Sequence, residues 1–548
     1  MSRSWPLPWK PDPQYNTRVA YFSMEYAIDQ ALKIYSGGLG FLAGSHMRSA
    51  HDLRQNLIGI GILWKYGYYD QVRHDDQRMR VQFQKKYYPF LVDSGLRTEV
   101  TVNGHPVHIK ALLLPAGVFG TAPIYLLTTD IPENDYLAQT ITHRLYDTEP
   151  STRIAQSIVL GLGGARLVQQ LGGADIYHLN EAHALPLAFE LIDRLQDSQA
   201  VRRHIVFTTH TPEKAGNEEN PLAFLHDMGY FGKLSLDTAA ELTGMRSGTF
   251  SHTLAALRVA GRANGVSRLH GQVANAMWGE QPGICPITSI TNAQNARFWQ
   301  DPIMRQALQE DDDARLVSRK REMKRQLFQV VADQTGKLFD PEVLTIVWAR
   351  RFAAYKRADL LLHDLYRFCR LIEQYEQPVQ VIWAGKPFPF DQTAIDMFNQ
   401  LVLRSYKAAR FAVLTGYEMQ LSRLLKQGAD VWLNTPQRLH EASGTSGMSA
   451  AMNGAVNLSI SDGWVPEFAR DGYNCLLIPP ADEQLDAAAQ TAADYRNLMQ
   501  IIEQQVLPLY YQQHDRWLRL VKHGMGDVLP RFDSDRLADE YYQLMYNG

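Results

Sequence analysis

Three cysteines, Cys285, Cys369 and Cys475, are all that 548 residues contain. They are far apart and match no metal-ligand spacing, so a disulfide-stapled scaffold and a zinc module are excluded. Buried thiols in a reducing compartment are the expectation. No run of about 20 apolar residues occurs, which argues against a membrane-spanning helix. Residues 1–13 hold Trp and Pro but no apolar leader core, so we expect no targeting segment and a cytoplasmic location. Charge of one sign is also lacking: 55 Lys and Arg against 58 Asp and Glu leave a net −3. Without a basic excess, nucleic acid is not an expected partner. There is no low-complexity stretch and no repeat of solenoid period. What is present is 45% hydrophobic and 21% charged residues, enough for a large packed core. At about 150 residues per domain, the length allows three or four ordinary domains or two large ones.

Short apolar runs alternate with glycine turns and helix-like stretches. Residues 19–24, 205–209, 343–348, 379–384, 431–434 and 455–460 read as buried strands. Strand–loop–helix alternation on this scale predicts an α/β fold with parallel sheets. Polar residues cluster just after the strands, where ligands bind in such sheets. Residues 296–340 are charged and helix-prone, with Asp311-Asp312-Asp313 and Lys320-Arg321-Glu322, and mark the best domain boundary. Residues 487–546 read as helical, with Tyr510, Tyr511, Trp517, Tyr541 and Tyr542 as packing residues.

Four segments carry chemistry. Tyr35-Ser36-Gly37-Gly38-Leu39-Gly40 opens a helix, whose first N–H groups suit an anion; a glycine turn that tightens packing explains it equally. Residues 349–357 interleave Arg350, Arg351, Lys356 and Arg357 with Phe352 and Tyr355. Arg351 as a planar fork and Lys356 as a point charge would converge on a phosphate, where a purely solvated face would not carry those aromatics. Glu441-Ala442-Ser443-Gly444-Thr445-Ser446-Gly447-Met448-Ser449 joins a carboxylate, hydroxyls and two glycines. Glu441 would accept sugar hydroxyls, and Gly444 and Thr445 would offer N–H groups to an oxyanion; an N-cap before a buried helix is the plainer explanation. Last, His178, Glu181 and His183 lie near Thr209-His210-Thr211-Pro212. Their spacing is not the helical one of a zinc protease, so a polar pocket is expected and no metal.

Together these segments resemble the α-glucan (glycogen, starch, maltodextrin) phosphorylase family, especially its shorter bacterial branch. The resemblance spans nearly the whole chain, from residues 20–26 and 35–40 through 179–183, 208–212, 264–270, 349–357 and 384–386 to 428–436, 441–448 and 507–511. It implies the glycosyltransferase-B fold: two Rossmann-like domains facing a central cleft, with C-terminal helices packing back on the first. The corresponding division is residues 1–315, 316–500 and 501–548. It also implies roles. Backbone amides of Gly37, Gly38 and Leu39 would face the substrate phosphate, and Arg351 and Lys356 would grip it. The main-chain carbonyl of His210 would face the transferred glucosyl ring. Asn292, Glu441, Ser443 and Gly444 would hold glucose hydroxyls, and Gly444 and Thr445 match the amides that hold the phosphate of pyridoxal phosphate.

One departure stands out. The family's lysine, which forms an imine with pyridoxal phosphate, falls at Ser449, and no lysine occurs between Gln427 and Lys522. A serine hydroxyl forms no imine. The Thr-Asn-Gly segment is altered as well, to Thr291-Asn292-Ala293. Three readings follow. The chain is a retaining hexosyl, in particular glucosyl, transferase with no cofactor, using an activated donor such as a nucleotide diphospho-sugar and a glucan or other hydroxyl acceptor. Alternatively it is a phosphorylase with non-covalent pyridoxal phosphate or a deliberately replaced lysine. In the third it is a non-catalytic glucan- or sugar-phosphate-binding relative. The family's frequent dimerisation leaves a homodimer open.

Overall fold

The computed structural model describes residues 5–245, 248–482 and 484–547. The chain divides into two compact units. Unit 1 comprises residues up to Tyr69, 83–295 and those from Ser534 onward; unit 2 comprises Asp70–Gln82 and Ala296–Asp533.

Unit 1 is built on a nine-stranded sheet: β1 (Val19–Phe22), β2 (Leu57–Ile62), β3 (Val92–Val102), β4 (His105–Leu114), β5 (Ile124–Thr128), β6 (Ile176–Asn180), β7 (Ile205–Thr208), β8 (Arg262–Gly265) and β9 (Ile287–Ser289), in the order β9-β8-β7-β6-β1-β2-β5-β4-β3. From β9 to β5 all pairs are parallel, and β4 and β3 extend the sheet antiparallel. Burial follows this division. β1, β2, β5 and β6 are buried at every residue, as strands covered on both faces must be, whereas β4 is buried only at intervals along its length. The order reverses between β1 and β6, the switch point where an open α/β sheet leaves a crevice beyond its strand ends. Helix α1 (Gly38–Asp52) follows β1 through the glycine loop.

The six strands of unit 2 are all parallel: β10 (Leu344–Ala349), β11 (Val379–Ala384), β12 (Phe411–Leu414), β13 (Val431–Asn434), β14 (Val456–Ile460) and β15 (Leu476–Ile478), in the order β12-β11-β10-β13-β14-β15. This is the doubly wound order, with its switch point between β10 and β13. The expected mixed α/β class with parallel sheets is therefore what the chain adopts, and the strands at 379–384 and 431–434 have the bounds read from sequence.

The charged segment read as a boundary lies wholly inside unit 2. Its main element is α2 (Asp313–Thr335), capped by the Asp312 side chain, which accepts from Arg315 N. Charge there is structural: Lys324 is 1% exposed and donates to Asp430 Oδ2 at 2.5 Å and to Val343 O at 2.8 Å. The break between units thus falls at 295/296 rather than at 315/316. The tail divides too. Helix α3 (His514–Phe532) belongs to unit 2, while α4 (Ser534–Tyr541) packs on α1, where Ser534 Oγ and Ser49 Oγ lie 2.6 Å apart and Gln55 Nε2 donates to Ala538 O at 2.9 Å. Residues 501–533 therefore remain with unit 2, and only those beyond them join unit 1. Cys285 and Cys475 are buried as expected; Cys369 is half-buried, and all three are free thiols. Among the described residues, no helix is long and apolar enough to cross a membrane.

Candidate active site

In unit 2 the polar residues gather beyond β10 and β13, at the switch point. Ala349 ends β10, and the chain turns through Arg350 and Arg351 into a short helical turn, Ala354–Lys356. Lys356 Nζ donates to Glu441 Oε1 at 2.6 Å and also bonds Oε2; Arg350 Nη1 reaches Oε2 at 3.2 Å and Nη2 bonds Asn434 Oδ1. All three side chains of this cluster are nearly buried. Burial alone would raise the Glu441 carboxyl, but Lys356 and Arg350 outweigh it and hold the group below the usual carboxylate range. The Glu441 backbone N–H donates to Asp462 Oδ2 at 3.0 Å, and burial, with the Glu441 charge adding to it, pushes Asp462 up to about 6.

The segment after Glu441 is folded tightly. Gly444 has φ +84°, and Thr445 precedes the short helix α5 (Ser446–Ala451). Ser443 is 3% exposed, and its Oγ makes no hydrogen bond within the protein. Its carbonyl accepts from Trp464 N at 3.0 Å, and a Cβ at Gly463 would stand 2.3 Å from that same oxygen, so only glycine fits there. Ser449 is fully buried, its hydroxyl facing the carbonyls of Thr445 and Ser446 at 3.4 and 3.3 Å.

Of the expected phosphate pair, Lys356 lies in this nearly buried cluster and Arg351 lies outside it. Lys356 is engaged by Glu441, and the side chain buried beside it is Arg350, whereas Arg351 is exposed, with Nη2 3.5 Å from Tyr355 OH. Residue type does not single out Arg350, because two adjacent arginines look alike. The signal is positional: Arg350 directly follows a strand buried at every residue.

Unit 1 carries the remaining candidates beyond β1, β6, β7 and β9. Gly37 does not keep its amide open. Glu25 Oε2 accepts from Ser36 N at 2.5 Å and from Gly37 N at 3.1 Å, and Tyr146 OH donates to Oε1 at 2.8 Å. Gly38 and Leu39 form the first turn of α1, with Gly37 as its cap. Burial raises the Glu25 carboxyl while these donors pull it back. His210 Nε2 lies 2.7 Å from Asn180 Oδ1, and burial drives the ring down to about 3, so it is neutral at physiological pH. Asn292 is 4% exposed, and its Oδ1 makes no hydrogen bond within the protein. His178 is a packing residue between Thr208 Oγ1 at 2.8 Å and Tyr546 OH at 2.6 Å.

Position 449 does not fit a cofactor held as an imine. Its side chain lacks an amine, is enclosed in its own helix, and the neighbouring Gly447 has Asn457 Oδ1 2.5 Å from where a Cβ would be. Unit 2 offers buried cations at a carboxylate and an unpartnered hydroxyl oxygen; unit 1, taken by itself, offers an unpartnered amide oxygen and a neutral imidazole.

Comparison with known proteins gives the same direction. Residues 296–471 match the family model described as "Carbohydrate phosphorylase". An uncharacterized protein of Methanocaldococcus jannaschii is 46% identical over 96% of this chain and 99% of its own length. Glycogen phosphorylase of Mycobacterium tuberculosis is 34% identical over 97% of this chain and 71% of its own. Maltodextrin phosphorylase of Thermococcus litoralis is 32% identical over 98% and 71%. The chain belongs to the carbohydrate phosphorylase family and is a glycosyl-transferring enzyme of that kind.

Proposed function

We propose that the chain is a retaining glucosyltransferase that works without pyridoxal phosphate and takes its sugar from a nucleotide diphospho-sugar. Its two units then serve as the two Rossmann-like domains of the glycosyltransferase-B fold. The observation that carries this reading is Ser449, a fully buried hydroxyl closed on its own helix, in a chain that keeps the cationic cluster of Lys356 and Arg350 around Glu441. The family's cofactor phosphate and substrate phosphate form a pair beside the sugar. A diphosphate supplies both phosphoryl groups in one molecule.

Chemically, Lys356 suits this role. An ammonium has three donors, and Glu441 takes two, leaving one for a leaving phosphate. Arg351 adds its planar fork from the same turn. Glu441, locked in its ionised form, keeps lone pairs for glucose hydroxyls, with Ser443 Oγ and Asn292 Oδ1 as further polar contacts. In the transfer, the bond from the anomeric carbon to the leaving phosphate breaks and the acceptor oxygen attacks from the same face. The acceptor's proton passes to the leaving phosphate. Positive charge at Arg351 and Lys356 stabilises the negative charge that develops, while the His210 carbonyl faces the sugar ring.

A second reading is a phosphorylase with non-covalent pyridoxal phosphate. It is favoured by the 32–34% identity to proteins named as phosphorylases over nearly the whole chain. The two separate in one experiment: purified protein, stripped of small molecules, assayed with glucose 1-phosphate and with a panel of nucleotide sugars, each with and without added pyridoxal phosphate. A glucan or another hydroxyl compound is the acceptor class, and the cytoplasm is where such metabolites meet.

A further inference from the structure

Glu181 directly follows β6 and has φ +66° and ψ 171°, a left-handed backbone rare for any residue but glycine. Such a conformation is strained and persists only where surrounding structure enforces it. Its consequence is visible in the side chains. Along an extended strand, neighbours point to opposite faces. Here the turn at Glu181 breaks the alternation, and Asn180 and Glu181 both end on one residue, His210. Asn180 Oδ1 lies 2.7 Å from His210 Nε2, and Glu181 Oε1 accepts the His210 backbone N–H. The same oxygen accepts from Thr211 Oγ1 at 3.3 Å, and Asn180 is fixed in turn by donating to Ser23 Oγ at 3.1 Å. His210 is thus held at its ring and at its peptide by two successive residues at the switch point of unit 1.

We propose that Glu181 is a positioning residue for glucosyl transfer: by accepting from the His210 N–H and the Thr211 hydroxyl it holds the backbone on either side of the His210 carbonyl, so that this carbonyl faces the transferred sugar. This rests on the role given to His210 above. The backbone strain at Glu181 is then part of the site rather than an accident of the loop. Burial pushes the Glu181 carboxyl up to about 7, against the pull of the His210 and Ala182 N–H groups and the Thr211 hydroxyl. The other titratable groups around His210 do not change charge in that range. Burial holds His210 at about 3, His183 at about 4 and His270 at about 4. The anion is the better acceptor for the two donors, so the clamp weakens as pH falls through 7.

The test uses Glu181→Gln in the full chain. With the donor that supports turnover in the wild type, kcat falls by about a hundredfold with KM for the donor unchanged, as misplacement near the reacting centre does. The acid limb of the wild-type kcat profile near pH 7 disappears. Thr211→Val keeps the carboxylate but removes one donor that lowers its pKa, so that limb moves to higher pH. A second readout needs no substrate. A carboxyl raised above its ordinary value costs stability as pH rises from about 4.5 to 7, so the wild type loses thermal stability relative to Glu181→Gln across that window. An unchanged kcat profile in Glu181→Gln overturns the proposal, whatever the stability shows; so does a difference in Tm that stays flat with pH. Should no donor support turnover in the wild type, it is the transferase reading that fails, and the Tm comparison still reports on Glu181.

Discussion

Glu441 and Lys356, 85 residues apart in the chain, form a nearly buried ion pair in which Nζ donates to Oε1 at 2.6 Å. The pair joins the segment after β10 to the segment after β13, across the switch point of the unit 2 sheet. It leaves one anion shared between Lys356 and Arg350.

Removing that anion is therefore expensive. Glu441→Gln leaves two cations facing one another without a carboxylate, and we expect a loss of about 3–5 kcal/mol in denaturant unfolding. Inorganic phosphate then has two unpaired cations to bind, so it should raise the Tm of Glu441→Gln more than that of the wild type. Equal phosphate shifts in the two proteins would show that Lys356 and Arg350 do not form an anion site.

Acid acts on the same pair. Lys356 and Arg350 hold the Glu441 carboxyl below its ordinary 4.5, so its contribution to stability is complete above that value. It is lost as pH falls through the lowered value. The stability gap between the wild type and Glu441→Gln should accordingly shrink on acidification below about pH 4.5, and unfolding curves collected down the acid range measure it directly.

Backbone packing protects the cluster as well. Gly385 has φ +151°, and a Cβ there would stand 1.8 Å from the Arg350 carbonyl oxygen. Gly385→Ala must displace the strand end that presents Arg350. We predict a loss of about 1–3 kcal/mol, together with a marked loss of phosphate-induced stabilisation. A protein that unfolds at the wild-type denaturant concentration would refute the contact.

Position 449 gives the complementary case. Ser449→Lys places a long cationic side chain where the wild type is fully buried, and overpacking alone should cost about 1–3 kcal/mol. The wild type itself should take up no stoichiometric pyridoxal phosphate after incubation and dialysis, which absorbance spectroscopy reads.

The strands at 379–384 and 431–434 are legible in the amino-acid sequence, because parallel strands covered on both faces are unbroken apolar runs. So is the helix behind the glycine loop. The role of residues 296–340 is not: their charge resembles a linker, yet Lys324 and Asp430 meet only after the chain folds, 106 residues apart. The site motifs stand out by composition, but not which cation is buried. Arg350 and Arg351 differ only in the direction each faces after β10, and that direction follows from the turn. Glu25 and Glu181 lie in family-like motifs without roles of their own. Neither the bonds of Glu25 to Ser36 and Gly37 nor the left-handed backbone of Glu181 has a signature in residue type.

The central claim is transfer from a diphospho-sugar without pyridoxal phosphate. Its most direct measurement is turnover of cofactor-free protein with a panel of nucleotide diphospho-glucoses and a maltodextrin acceptor, beside the Arg351→Ala variant. The expected result is release of a nucleoside diphosphate with retention at the anomeric carbon, undiminished without pyridoxal phosphate and abolished in Arg351→Ala. Turnover confined to glucose 1-phosphate and dependent on added pyridoxal phosphate would contradict it.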